Sequence, residues 1–442
     1  MENKKIIMTN SDEPLVTPVA EVSAETGFGP VRRFFRNLGP GLITGAADDD
    51  PSGISTYATA GATFGYGLLW TALFSLPLMA SVQLMCARIG LVSGRGLANV
   101  LRRYYPRSVL WFACALLLVA NIVNIAADLG GMAEAMELLT GINSLWFHLP
   151  FGALIVALLF FTSYRTMANI FKWLTLVLLA YVISAFLAHP HWPTVLKASF
   201  WPQFNFSHDY LMTFVAILGT TISPYLFFWQ AAQEVEEEKA EGKKTVGQRM
   251  GATPEKLRMA RTDTIIGMSF SNLIMYFIIL TTGATLYVSG HRDIETARQA
   301  AEALRPLAGE AAYLLFALGL IGTGMLGVPV LAGSAAYTVA EAFAWRSGMN
   351  ERPRMAPKFY AVIAVAMIAG VLLDYSGFNA IKMLFWSAVL NGLLAPPLIV
   401  IILMVCNNSR VMGEHVNGRW LNLLGIAAAL VMIVAAVAMF MG

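Results

Sequence analysis

Three consecutive carboxylates, Asp48, Asp49 and Asp50, followed by Pro51, Ser52 and Gly53, stand in the middle of an otherwise apolar stretch from Gly39 to Trp70. A charged side chain near the centre of a membrane helix costs at least ~2.5–3.5 kcal/mol on insertion scales, so such residues face a cavity, a partner or an ion. Pro51 removes one backbone donor and Gly53 adds freedom. The helix ladder is therefore expected to open there and leave carbonyls that a cation can use. A second interruption, Gly219-Thr220-Thr221-Ile222-Ser223-Pro224-Tyr225, again sets a proline inside an apolar run. Two such breaks facing each other near the midplane form a candidate cation site.

The rest of the chain is suited to holding these segments in a membrane. Its 442 residues are 57% hydrophobic and only 13% charged, with a mean hydropathy of +0.62, whereas soluble domains carry about 25% charge. An all-α polytopic membrane protein follows. Apolar runs long enough for about 30 Å of hydrocarbon fall roughly at 38–66, 67–90, 109–139, 148–166, 168–189, 207–233, 262–289, 310–345, 357–374, 378–405 and 419–441. Of the 30 lysines and arginines, 25 lie in the amino-terminal tail and every second connection after it. The other five are Lys197, Arg292, Arg298, Arg305 and Lys382. By the positive-inside rule the amino terminus is cytoplasmic and the carboxyl terminus external. The net charge of +3 thus reflects topology and gives no reason to expect nucleic acid.

Residues 1–36 are polar and read as a cytoplasmic tail with no signal peptide. The broken first and sixth helices predict two inverted five-helix repeats, 37–189 and 207–405, with 419–441 as an eleventh helix. The connection from Glu234 to Arg261 reads as a solvated short helix or a mobile loop. Cys86, Cys114 and Cys406 have no paired spacing that suggests a disulfide or a zinc site.

The run GPGLITGAADDDPSG…AGATFGYGLLW resembles the first helix of the Nramp family of divalent metal transporters, whose signature there is Asp-Pro-Gly-Asn. Gly219–Tyr225 is similar to that family's sixth-helix signature around Met-Pro-His, and the likeness continues through all eleven helices in order and spacing. The resemblance implies a leucine-transporter-type fold, ten helices in two inverted repeats plus one more. A monomer in the plasma membrane without a cofactor is the accompanying expectation, and no nucleotide loop, nucleophile triad or protease pair is present to support an enzyme. Asp50 and Pro51 are kept, but the family's glycine is Ser52 and its asparagine is Gly53. On the sixth helix the methionine position is Ser223, the histidine position is Tyr225, and the alanine whose carbonyl binds metal is Thr220. Asp128 matches a third-helix aspartate of the family's proton pathway, whereas the glutamate expected one turn later is Gly131.

Ligand chemistry gives these departures a meaning. A thioether favours softer transition metals, while carboxylate, carbonyl, hydroxyl and water suit magnesium, calcium and manganese. Ser223 therefore removes a reason to reject magnesium. Gly53 deletes an amide ligand and is expected to leave room for a partly hydrated ion, which magnesium prefers to remain. The pattern resembles the Nramp-related magnesium transporters, so magnesium is the expected substrate and manganese the second.

The expected roles follow. Asp50 is the anionic ligand, with helix capping as the rival reading. The carbonyls of Ala47 and Thr220 are neutral ligands. Thr221 and Ser223 hold inner waters, or else bond their own helix backbone. At least one of Asp48 and Asp49 lines the cytoplasmic vestibule or pairs with a basic residue. Asn391 and Gln230 support the ligands from behind. Without a histidine at 225 or a glutamate at 131, the expected transport is uncoupled from protons, since tyrosine titrates near ~10 and glycine not at all. Asp128, Glu134 and Glu137 could still offer a rerouted path.

Other features take plainer readings. Thr63–Gly67 imitates a potassium-channel filter, but such a filter needs a re-entrant loop and fourfold assembly. The six histidines lack metal-ligand spacing and are expected at surfaces, Glu341 and Asp374 at interfaces, and Trp70, Trp111, Trp146 and Trp201 in aromatic belts. Two rival functions remain: an amino-acid or other organic-solute symporter on the same fold, and a channel or metal sensor.

Overall fold

The computed structural model describes residues 40–162, 166 and 176–441. The expected tail 1–36 and the first part of the fifth helix, 168–175, lie outside the described residues. The expected first helix is two pieces, α1 (Pro40–Asp48) and α2 (Pro51–Phe64). They are followed by α3 (Trp70–Ser93), a short α4 (Leu97–Tyr104), α5 (Arg107–Thr140), α6 (Leu145–Phe161), α7 (Leu179–Leu187) and α8 (Trp192–Phe200). The second half opens with another split pair, α9 (His208–Thr221) and α10 (Pro224–Ala240). It continues with α11 (Pro254–Thr285), α12 (Ala312–Ala342), α13 (Pro357–Asp374), α14 (Ala380–Cys406) and α15 (Arg419–Met441). Among the described residues, eight helical stretches are long and apolar enough to cross a membrane, and α6 and 176–187 are shorter apolar helices.

Both breaks obey one local rule. Asp50 (φ −70°, ψ 172°) and Ser223 (φ −76°, ψ 128°) are extended, and each is followed by a proline that opens the next helix. A residue before proline is pushed out of the α region. A proline in the first turn loses nothing, because its missing N–H would have had no intrahelical acceptor.

Tertiary packing then fixes where the breaks sit. The continuous α11 lies along both α1 and α2, so one rigid helix supports both sides of the first break. In the same way α14 lies along α9, and α5 packs along α12, α13 and α14. At Gly219 a Cβ would collide with the backbone of Ala388 and Gly392. Small residues permit such close approach, which supplies much of the packing energy between membrane helices. The Ser52 hydroxyl lies 2.9 Å from both the Leu384 carbonyl and the Ser387 hydroxyl, joining α2 to α14.

Several expectations are corrected here. The 234–261 connection is anchored, because buried Arg249 donates to the carbonyls of Gly94, Lys243 and Lys244. Trp70 is 7% exposed and packs on Phe204 and Phe214, whereas Trp111, Trp146 and Trp201 are exposed. Glu341 is half-buried and accepts the Asn99 N–H at 3.1 Å. Asp374 is buried and paired with buried His148 across α13 and α6. Thr63–Gly67 closes α2 and turns toward α3, with Gly65 at φ +58°, a backbone region that favours glycine.

Candidate metal-ion site

The carboxylate of Asp50 does two things at once. Its Oδ1 accepts the Gly53 N–H at 2.8 Å and so caps α2, satisfying a donor that the helix start leaves open. Its Oδ2 lies 3.1 Å from the Tyr225 hydroxyl, which is also 3.0 Å from the Ala47 carbonyl. The last carbonyl region of α1, the cap of α2 and the first turn of α10 therefore meet at one point. Capping and ligation are compatible, because a carboxylate has about four lone-pair positions. Asp50 is 2% exposed and Tyr225 is fully buried, so both side chains are shielded from bulk water.

The second break presents its oxygens differently from expectation. The Ser223 hydroxyl donates back to the carbonyls of Thr220 (2.7 Å) and Gly219 (3.1 Å). The Thr221 hydroxyl bonds the Ile217 carbonyl at 2.9 Å. Both have taken the alternative reading, in which a small hydroxyl in an apolar helix satisfies its own backbone. One lone pair of the Thr220 carbonyl is thereby engaged, and a carbonyl has two. Gly53 contributes its N–H to Asp50 and so acts as a donor. The room expected beside it is filled: a Cβ there would stand 3.1 Å from Thr220 Oγ1 and 3.4 Å from the Asp48 carbonyl and the Tyr57 ring.

Among the described residues, Asp48 and Asp49 form no ion pair with a basic residue. Both are buried and both reach the Ser271 hydroxyl on α11, at 2.7 and 3.1 Å. Gln230 lies away from Asp50: its Oε1 accepts from Thr44 at 2.6 Å and its Nε2 donates to Glu234 at 2.9 Å. Asn391 is matched with Asn124 by reciprocal amide bonds of 2.9 and 3.0 Å, which lock α14 to α5. Among the described residues, no three histidine, cysteine, aspartate or glutamate side chains converge to hold a metal ion.

Residues 41–442 match the family described as natural resistance-associated macrophage protein-like, Nramp. The chain belongs to the Nramp family. Among its relatives is the divalent metal cation transporter MntH of Mesorhizobium japonicum, 28% identical over 441 residues, a match that covers 96% of this chain and 92% of that protein. The MntH of Vibrio campbellii is 28% identical over 420 residues, covering 92% of each chain. Of solved structures, the Eremococcus coleocola manganese transporter superposes with a TM-score of 0.72 at 19% identity, over 95% of this chain and 89% of that one. The nucleobase-cation-symport-1 transporter Mhp1, in a closed conformation, gives 0.57 at 15% identity over 91% and 92%. These likenesses show the fold, which is of the leucine-transporter type. As an Nramp protein the molecule is not an enzyme.

In this Nramp protein the third-helix aspartate, Asp128, is fully buried on α5, and neither of its carboxylate oxygens has a hydrogen-bond partner. It lies within electrostatic reach of Asp50. Gly327 of α12 faces both of them. A Cβ at that position would stand 3.1 Å from Asp50 Cβ, 3.8 Å from Asp128 Oδ2 and 3.9 Å from the Ala47 carbonyl. Sequence reasoning missed Gly327 and Ser271, since a glycine and a serine in apolar helices carry no distinguishing local signal. Gly131 faces Pro51 and Leu384, so a glutamate there would first have to displace the leucine. Glu134 lies 3.5 Å from the Ala297 N–H and Glu137 bonds the Ser144 N–H at 2.6 Å, so both act toward loop ends.

Proposed function

We propose that this chain carries divalent metal cations across the plasma membrane by alternating access, with magnesium favoured and manganese second. The supporting observation is the chemistry of the two breaks. Asp50, Tyr225 and the Ala47 carbonyl bring three oxygens together with no thioether or imidazole among them. Hard oxygen donors suit magnesium and manganese, and magnesium is held through one or two carboxylates while it keeps several waters. The names of the relatives, divalent metal cation transporter and manganese transporter, agree with the coarser part of this reading. Our reading keeps the amino terminus cytoplasmic, the carboxyl terminus external, the repeats at 37–189 and 207–405, and the monomer as the working unit.

We further propose uptake driven by the membrane potential, worth ~2.3 kcal/mol per charge per 100 mV, without proton transfer. A second reading, proton-coupled manganese or iron symport, draws on Asp128, a buried carboxylate with no partner beside Asp50. Reconstituted liposomes separate the two. Uptake of magnesium, manganese and calcium in competition, with a pH dye in the lumen, is expected to give preference to magnesium and no lumenal acidification. Acidification that follows metal entry would overturn the uncoupled reading. Uptake unchanged in Asp50→Ala would overturn the site itself.

A further inference from the structure

Asp48, Asp49, Asp50 and Asp128 are all at most 2% exposed. Among the described residues none of them forms an ion pair. Buried charges are ordinarily paired or coordinate metals. Asp50 belongs to the site already described, but Asp48 and Asp49 turn the other way, toward α11. Asp48 Oδ2 is 2.7 Å and Asp49 Oδ1 is 3.1 Å from the Ser271 hydroxyl. Ser271 has a single proton, so it can donate to only one of them at a time.

The remaining oxygens are the second observation. Asp48 Oδ1 and Asp49 Oδ2 are buried without a hydrogen-bond partner, and so is the hydroxyl of fully buried Tyr57. Tyr57 stands within electrostatic reach of both carboxylates. Two carboxylates, a serine oxygen shared between them and an unpartnered phenol make an oxygen cluster with more acceptors than donors. A single dication would neutralise the two formal charges, and an oxygen-only donor set suits the hard ions magnesium, calcium and manganese.

We propose that Asp48, Asp49, Ser271 and Tyr57 form a second divalent-cation site, separate from the Asp50 site, that ties the end of α1 to α11. The four side chains leave coordination positions to water, which a hard dication retains readily. An ion there offsets the negative charge next to the first break and fixes α1 against α11, which packs along both sides of that break.

The test is stoichiometry on the purified full chain, with Mn2+ as the probe in electron paramagnetic resonance and Mg2+ in equilibrium dialysis. Wild type is expected to bind two ions per chain, with the manganese spectrum broadened by coupling between neighbouring spins. Asp48→Asn/Asp49→Asn and Asp50→Asn should each bind one, with the broadening gone. Ser271→Ala keeps every carboxylate and should weaken the second ion about tenfold, as expected for loss of a hydroxyl beside charged groups. Should the double variant fail to fold, the wild-type count and Ser271→Ala decide the matter. One ion in wild type that disappears in Asp50→Asn overturns this proposal and leaves the transport reading intact. No ion in wild type overturns both.

Discussion

The Tyr225 hydroxyl stands 3.1 Å from Asp50 Oδ2 and 3.0 Å from the Ala47 carbonyl, bridging the two oxygens expected to hold the ion. Tyr225 has a single phenolic proton, so it can donate to only one of these two oxygens at a time. A metal–oxygen distance of ~2.1 Å in an octahedron places neighbouring ligands about 3.0 Å apart. The Tyr225 oxygen thus already stands at octahedral-edge spacing from each of the other two. Tyr225→Phe is expected to raise the KM for magnesium and manganese about tenfold, in line with the loss of a hydrogen bond to a charged group. Concentration series of liposome uptake measure it, and an unchanged KM would remove Tyr225 from the site.

Asp50 combines capping and charge, and two substitutions separate them. Asparagine caps as well as aspartate, whereas alanine forfeits about 0.5–2 kcal/mol. Asp50→Asn should therefore melt no lower than wild type and yet lose uptake by about a hundredfold or more, since its carboxylate contacts Tyr225 and faces Asp128. Asp50→Ala should lose uptake and also melt at a lower temperature. Thermal melts beside uptake assays check both.

Ser223 now spends its hydroxyl on its own helix at 2.7 Å from the Thr220 carbonyl. Ser223→Met frees that carbonyl and adds a thioether, a softer donor. Competition uptake should shift toward manganese and cadmium over magnesium by about tenfold. If the order of preference stays as in wild type, the selectivity argument fails even where transport persists.

Gly327 keeps space open between Asp50 and Asp128. In Gly327→Ala the new methyl would lie 3.1 Å from Asp50 Cβ, and close-packed interiors respond to a single extra carbon. Uptake should fall about tenfold while the protein stays monodisperse on size exclusion. Full activity in this variant would show that the carboxylate tolerates displacement.

Asp128 discriminates between the two coupling schemes. If uptake is uncoupled, Asp128→Asn should still accumulate metal in response to an imposed potential, with the lumenal pH dye as silent as in wild type. A wild-type pH signal that this substitution abolishes would instead mark Asp128 as a proton carrier.

Local grammar was legible in the chain itself. Hydropathy gave most of the described helices to within about five residues, because a bilayer demands about twenty apolar residues of any helix that crosses it, but α10 runs seven residues past the expected end at 233 and α11 starts eight before the expected 262. Asp50-Pro51 and Ser223-Pro224 gave the breaks, because proline restricts the residue before it wherever that pair occurs. What the chain could not disclose was where freed groups would find partners. Thr221 and Ser223 had two options of similar energy, a cation's water or the helix carbonyls, and the structure shows the carbonyls. Asp48 and Asp49 turned to Ser271, more than two hundred positions away in sequence. Gln230 and Asn391 were taken by Thr44, Glu234 and Asn124. A carboxylate, amide or hydroxyl advertises what it can bond in its own chemistry, but the partner it finds depends on which helices pack beside it, and only the assembled bundle decides that.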